Sequence, residues 1–185
     1  MITPIAKNYK GLISITGPTR SGKSQLAEFL IKEHKSVTYI ATSKARANDP
    51  DWQKRIDIHR MRRPDTWKLI EHPNDFLKTI ESIRGNGSVL IDSLGGLVAN
   101  HLIDDDYLWD IFQNNLLNCL TKDKLCIIVV SEEVGWGIIP ATRTGHLFRE
   151  RLSALSSLIS RHSNKRLLAV NGIAVDLDKI GDRIP

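Results

Sequence analysis

The chain has 185 residues, 41% of them hydrophobic and 25% charged, with two cysteines and a formal net charge of +5. That length and balance suit one globular domain with a sizeable core and exclude a disordered or collagen-like chain. No apolar run is long enough to span a bilayer, residues 1–10 lack the apolar stretch of a secretory signal, and no cysteine or histidine spacing suits a zinc site.

Residues 1–10 read as a short polar lead-in, followed by a β-branched strand, Leu12–Thr16. Gly17, Pro18, Thr19, Arg20, Ser21, Gly22, Lys23 and Ser24 come next and fit G-x-x-x-x-G-K-[ST]. A helix is expected over Ser24–Glu33, so the pattern sits between a strand and a helix, as a phosphate-binding loop requires. Its glycines allow backbone N–H groups to turn inward on a polyanion while the helix presents its positive end. Lys23 adds a mobile charge for the outer phosphates, and Ser24 offers a hydroxyl to Mg²⁺. These residues predict binding of a nucleoside triphosphate.

A strand is expected at Val37–Ala41 and a helix over Pro50–Arg60. The second ends in an unusual run in which His59 lies among Arg55, Arg60, Arg62 and Arg63. Cations there favour the neutral, nucleophilic imidazole, which can attack phosphorus to form a phosphoramidate, and they can also clamp a triphosphate. A surface or capping role is the ordinary alternative for such a histidine. His34, His72, His101, His146 and His162 have no comparable surroundings.

A helix over Asn74–Ile83 leads to the strand Val89–Asp92, whose terminal acid can hold the water shell of Mg²⁺. Ser93 reads as a helix N-cap. A helix over Tyr107–Leu120 and a strand over Leu125–Ser131 follow, then a loop rich in glycine and acid, Glu132-Glu133-Val134-Gly135-Trp136-Gly137, in which Glu133 can orient a substrate hydroxyl, join the metal shell or simply be solvated. A long helix from Thr142 to His162 places Leu147, Phe148, Leu152, Leu155 and Ile159 on one face, as core. Strands at Leu167–Asn171 and Ile173–Leu177 are joined by Asn171-Gly172, a hairpin signal. The alternation implies a mostly parallel, doubly wound α/β sheet with a C-terminal antiparallel hairpin, formed by a single domain over 1–185. The second basic group, Arg143, Arg149 and Arg151, reads either as a solvated face or as charge around phosphorylated substrates, and neither basic group is interleaved with aromatic residues as in a single-strand nucleic-acid platform. Cys119 and Cys126 adjoin apolar segments and read as buried thiols of a reducing compartment, hence cytoplasmic.

Several motifs together resemble one family. They are T-G-P-T-R-S-G-K-S, Tyr39-Ile-Ala-Thr42, His59-Arg-Met-Arg-Arg-Pro64 with Trp67, and Asp92 followed by Leu97-Val-x-Asn100. Glu133-Val-Gly-x-Gly-Ile-x-Pro140 and Phe148-Arg149 complete the set. The chain is similar from about Gly11 to Val175 to the bifunctional adenosylcobinamide kinases / adenosylcobinamide-phosphate guanylyltransferases of cobalamin biosynthesis. The resemblance implies a RecA-like P-loop NTPase fold, ATP and GTP as substrates, Mg²⁺, a homo-oligomer and no nucleic-acid partner. It implies that an NTP phosphorylates the aminopropanol hydroxyl of adenosylcobinamide. GTP then donates GMP through a guanylylated histidine, here His59, to the new phosphate. Lys23 would neutralise phosphates, Ser24 and Asp92 would serve the metal, and Arg60, Arg62 and Arg63 would clamp phosphate around His59. A diverged single-activity kinase and a regulatory or nucleic-acid ATPase module share parts of this pattern.

The chain departs from the family at named places. Glu132 stands where the family has Asn, Ala141-Thr142 replaces Glu-Asn, and Ser93-Leu-Gly95 replaces Cys-Leu-Thr. Ser153-x-x-Ser156-Ser157 replaces Gly-x-x-Asn-Gln, and Pro18 replaces a glycine. The resemblance implies that these positions shape the corrinoid site, the guanine site or subunit contacts.

Overall fold

A computed structural model describes residues 9–44, 49–83, 85, 87–122 and 125–184; the side chains of 51–53 and 55 lie outside that description. The lead-in up to residue 8 and the Arg55 side chain therefore fall outside it.

In chain order the elements are β1 (Leu12–Gly17), α1 (Lys23–Ile31), β2 (Val37–Ala41), α2 (Pro50–Arg62), β3 (Lys68–Glu71), α3 (Phe76–Ile83) and β4 (Ser88–Asp92). They continue with α4 (Leu94–Asn100), α5 (Asp106–Thr121), β5 (Ile127–Glu132), α6 (Arg143–His162), β6 (Lys165–Val170), β7 (Ile173–Asp176) and α7 (Leu177–Ile180). The strands form one sheet in the order β3-β2-β4-β5-β1-β6-β7. All neighbours pair in parallel except β6 with β7. Because β5 inserts between β1 and β4, the strand of the phosphate loop and the strand of Asp92 are separated by one strand, in the expected RecA-like manner.

Both faces of the sheet are covered, which is why its central strands read as almost unbroken apolar runs. Side chains alternate between two cores. Val89 and Ile91 of β4 and Ile127 and Val129 of β5 join α3, α4, α5 and α6 on one face. Leu90, Ile128 and Val130 join Ile13 and Ile15 of β1 and α1 on the other. Cys119 and Cys126 are buried and free, and burial pushes the Cys126 thiol up to about 11.

Two elements escaped the sequence reading, and a third, α4, was marked only by its N-cap, Ser93. β3 is a four-residue edge strand whose residues are largely exposed, so it carries no apolar run. α4 holds Gly95 and Gly96, poor helix formers, yet a Cβ on Gly96 would lie 2.7 Å from the backbone nitrogen of Ser43. Glycine is what lets this short helix pack on the end of β2. α7 is a single turn.

The structure also corrects the reading of one basic residue. Arg151 is not part of a solvated face: it is 5% exposed. Its guanidinium donates to the carbonyls of His101 (2.6 Å) and Asp104 (2.9 Å) and to Asp106 Oδ1 (3.2 Å), closing the α4–α5 connection.

Candidate active site

The carboxyl ends of β1, β4 and β5 meet at one edge, and the candidate site is built there. Gly17 to Ser24 turn from β1 into α1. Gly17 has φ 153°, and a Cβ on it would lie 2.2 Å from the Ala169 carbonyl oxygen and 2.9 Å from Ser21 Oγ. Gly22 caps α1 at φ 97°, and Arg20 also takes a left-handed φ of 59°. Thr19 and Arg20 form the exposed rim, whereas Ser21 and Lys23 are buried. Lys23 Nζ donates to the Pro18 carbonyl at 2.8 Å, arching across the loop. Neighbours clamp the loop from both sides. The Glu133 N–H donates to Gly17 O (2.9 Å), and the Gly172 N–H, at the tip of the β6–β7 hairpin, donates to Ser21 O (3.0 Å). Asn171 and Gly172 both have positive φ, as the hairpin signal in the sequence predicts.

Asp92 ends β4, and the Asp92–Ser93 peptide is cis. Its Oδ2 accepts from the Tyr39 hydroxyl at 2.7 Å. Burial, followed by the charge of Asp92, pushes the Tyr39 phenol far above its usual range, so it stays a donor. His59, near the end of α2, reaches the same place: its Nδ1 lies 3.8 Å from Asp92 Oδ2 and 3.8 Å from Glu28 Oε1. The imidazole thus faces two carboxylates, where the sequence suggested arginines alone. Arg62 forms a fork on Glu28, with Nε 3.0 Å from Oε2 and Nη2 3.2 Å from Oε1. Burial raises the Glu28 pKa and the Arg62 pairing opposes it. Arg63 donates from Nε to the His59 carbonyl at 3.0 Å and lays its guanidinium 4.2 Å over the Tyr39 ring, which stacks on Trp67. Its Nη1 is buried with no hydrogen-bond partner among the described residues. Arg60 is exposed.

Glu132 and Glu133 leave β5 in different directions. Glu133 Oε1 accepts the Gly135 N–H at 2.6 Å, a local turn contact. Glu132 turns to α4, where it accepts the Ser93 hydroxyl and, at 3.1 Å, the Gly95 N–H. Ser93 is the N-cap by position, but its hydroxyl makes no bond to its own helix. A Cβ on Gly95 would lie 2.7 Å from Glu132 Oε2. The departures at Ser93, Gly95 and Glu132 are therefore one contact: the glutamate needs a donor beside it and an empty position above it.

The structure thus brings the phosphate loop, Asp92, His59, Arg62 and Arg63 to one edge, and adds Tyr39, which the sequence reading named only within a family motif, and Glu28, which it did not single out. Glu28 carried a signal all the same, as an acid at a core-facing position of α1, four residues after Ser24. Beside this edge a cavity of about 480 Å³ opens between Thr42, Lys44, His72, Asn100 and Phe112.

Comparison with known proteins points to one family. The chain is 31% identical over 181 residues to the "Bifunctional adenosylcobalamin biosynthesis protein CobU" of Escherichia coli (strain K12), covering 90% of this chain and 99% of that protein. It is 35% identical over 166 residues to the "Bifunctional adenosylcobalamin biosynthesis protein CobP" of Pseudomonas aeruginosa, covering 88% of this chain and 95% of that protein. A solved structure from Pyrococcus horikoshii OT3 shares the fold with a TM-score of 0.55 at 9% identity, over 95% of this chain and 91% of that one. Residues 13–177 match the family described as cobinamide kinase / cobinamide phosphate guanyltransferase. With a phosphate loop, an acid-ended strand and a histidine gathered at one sheet edge, the chain belongs to that family.

Proposed function

We propose that the single phosphate loop serves both reactions of this kinase and guanylyltransferase, and that His59 is the residue that carries the guanylyl group. In the first reaction an NTP phosphorylates the aminopropanol hydroxyl of adenosylcobinamide. In the second, the His59 imidazole attacks the α-phosphorus of GTP. The bond to the β-phosphate breaks, pyrophosphate leaves, and adenosylcobinamide phosphate then displaces the imidazole to give adenosylcobinamide-GDP. The observation that carries this reading is the 3.8 Å approach of His59 to Asp92, which sets the nucleophile at the sheet edge that holds the phosphate loop.

Phosphoryl and nucleotidyl transfer ask a protein mainly for positioning and charge. The loop residues from Thr19 to Gly22 supply backbone donors, and Lys23 swings from the Pro18 carbonyl to the phosphates. The unpartnered Nη1 of Arg63 suits a phosphate oxygen, with Arg60 and Arg62 beside it on α2. Glu133 stands beside the loop, with its N–H on the Gly17 carbonyl, and would line the nucleotide site from there. Mg²⁺ takes hard oxygen ligands and keeps most of its water and phosphate partners. Ser24 and Asp92 are such donors, and the buried Ser131 Oγ at the neighbouring strand end has no hydrogen-bond partner among the described residues. Bound there, the ion would neutralise charge on the phosphates. The reading takes the chain as one cytoplasmic nucleotide-binding domain without a nucleic-acid partner. It also takes it as a homo-oligomer, supported by the exposed apolar loop of Trp136, Ile138 and Ile139.

Parallel incubations with α-labelled and γ-labelled GTP test this. The α-label should become attached to the protein as an acid-labile, base-stable adduct that His59→Ala abolishes. The γ-label should pass to cobinamide in both proteins. A wild-type protein that binds GTP yet takes no α-label would falsify the guanylyl-histidine.

A further inference from the structure

Among the charged groups around His59, Glu28 is the one to which the reading above gives no phosphate or metal role. It lies four residues after Ser24 on α1, so it shares a face with the serine and sits about 6 Å deeper along the helix. Its side chain is only 10% exposed, and Arg62 grips both of its oxygens, which fixes the plane of the carboxylate. Oε1 points at His59 Nδ1 from 3.8 Å. Asp92 Oδ2 lies at the same distance from that nitrogen, but it accepts the Tyr39 hydroxyl and is the acid assigned above to the metal. Arg62 and Arg63 of α2 engage Glu28, the His59 carbonyl and the Tyr39 face. The ring therefore has an acidic side at Nδ1, with Nε2 opposite.

We infer that Glu28 is the positioning residue of the guanylyl-transfer nucleophile: its carboxylate keeps the proton on His59 Nδ1 and leaves the Nε2 lone pair to attack phosphorus. An isolated neutral imidazole prefers the opposite tautomer, so an acceptor at Nδ1 selects the reactive one. When Nε2 bonds to phosphorus, pyrophosphate departs with the electron pair of the broken P–O bond. The Nδ1 proton stays in place and the ring becomes cationic. A carboxylate already beside Nδ1 stabilises that charge, and the 3.8 Å separation closes to a hydrogen bond as it develops. Because Glu28 rides on the helix that begins at the phosphate loop, the nucleophile is indexed to the phosphates through one rigid element. The inference rests on His59 being the nucleophile.

The full-length chain labelled with ¹⁵N-histidine tests it, with His59→Gln identifying the resonances of His59. The wild type should show the proton on Nδ1; Glu28→Leu should move it to Nε2, and Glu28→Gln, whose amide oxygen still accepts, should keep it on Nδ1. Labelling by α-labelled GTP at saturation should slow by about tenfold or more in Glu28→Leu, with the half-saturating GTP concentration nearly unchanged, and Glu28→Gln should recover most of the rate. A wild-type proton on Nε2 overturns the inference even if Glu28→Leu fails to fold. If the label maps to His59 and Glu28→Leu labels at the wild-type rate, the inference falls while His59 keeps its role. If the label persists in His59→Ala, both fall.

Discussion

The phosphate loop and helix α2 meet at the same edge but are held there by different forces. The loop is fixed by main chain: Gly17 under Ala169, the Glu133 N–H on Gly17 and the Gly172 N–H on Ser21. Helix α2 is tied by charge, through Arg62 on Glu28, Arg63 over Tyr39 and His59 beside Asp92, and it leaves Ile58 and Met61 exposed. Main-chain geometry is specified by which residues can adopt it, so it appears in the sequence as a motif. Charge contacts between distant elements have no spacing, and they tune rather than define a site.

Substitutions can separate these two modes. The largest effect is expected from Gly17→Ala, which strains φ and drives a methyl group into a backbone oxygen. It should cost roughly 3–4 kcal/mol in thermal or denaturant unfolding and suppress both reactions together. Arg62→Met keeps the stem of the side chain but removes the fork on Glu28. About 1–2 kcal/mol of stability should go, because the pair is only partly buried, and the loss should shrink in high salt. Guanylyl labelling should suffer more than phosphorylation of cobinamide, and equal losses in the two would contradict an ionic tether specific to His59. The smallest effect belongs to a contact of mixed character, Glu132 on Gly95. Gly95→Thr should cost about 1 kcal/mol against the flexible glutamate, and adding Glu132→Asn should restore stability; a strictly additive double mutant would dissolve the coupling.

The sheet was legible because its central strands are buried on both faces, so each one shows as an apolar run. The phosphate loop, the Asn171-Gly172 turn and α6 were legible for equally local reasons. β3 was not, since an exposed edge strand of Lys68-Leu-Ile-Glu71 carries no pattern. α4 showed only its N-cap, Ser93, since Gly95 and Gly96 argue against a helix until the neighbours that require them are seen. At the site, His59 stood out as a histidine in a basic run, but the two acids that face it did not. Arginines adjacent in sequence turned to Glu28, Tyr39 and the His59 carbonyl, while acids from α1 and β4 faced the ring. Glu28 looked like any acid on a helix until packing placed it. Arg151 shows the converse, a residue counted with the basic surface that serves as an internal brace.

The hydrogen bond from Gly172 to Ser21 joins the β6–β7 hairpin to the phosphate loop that follows β1. Asn164 makes a similar link, its main chain and side chain both pairing with Leu12. β1 lies between β5 and β6, so neither of its neighbours exists until most of the chain has been synthesised. Such long-range pairings fold late. The nucleotide cradle, encoded near the amino terminus, is therefore completed by the far end of the sequence. A nascent or carboxyl-truncated chain would carry the whole motif and still lack the site, and nucleotide binding reports that β6 and β7 have closed.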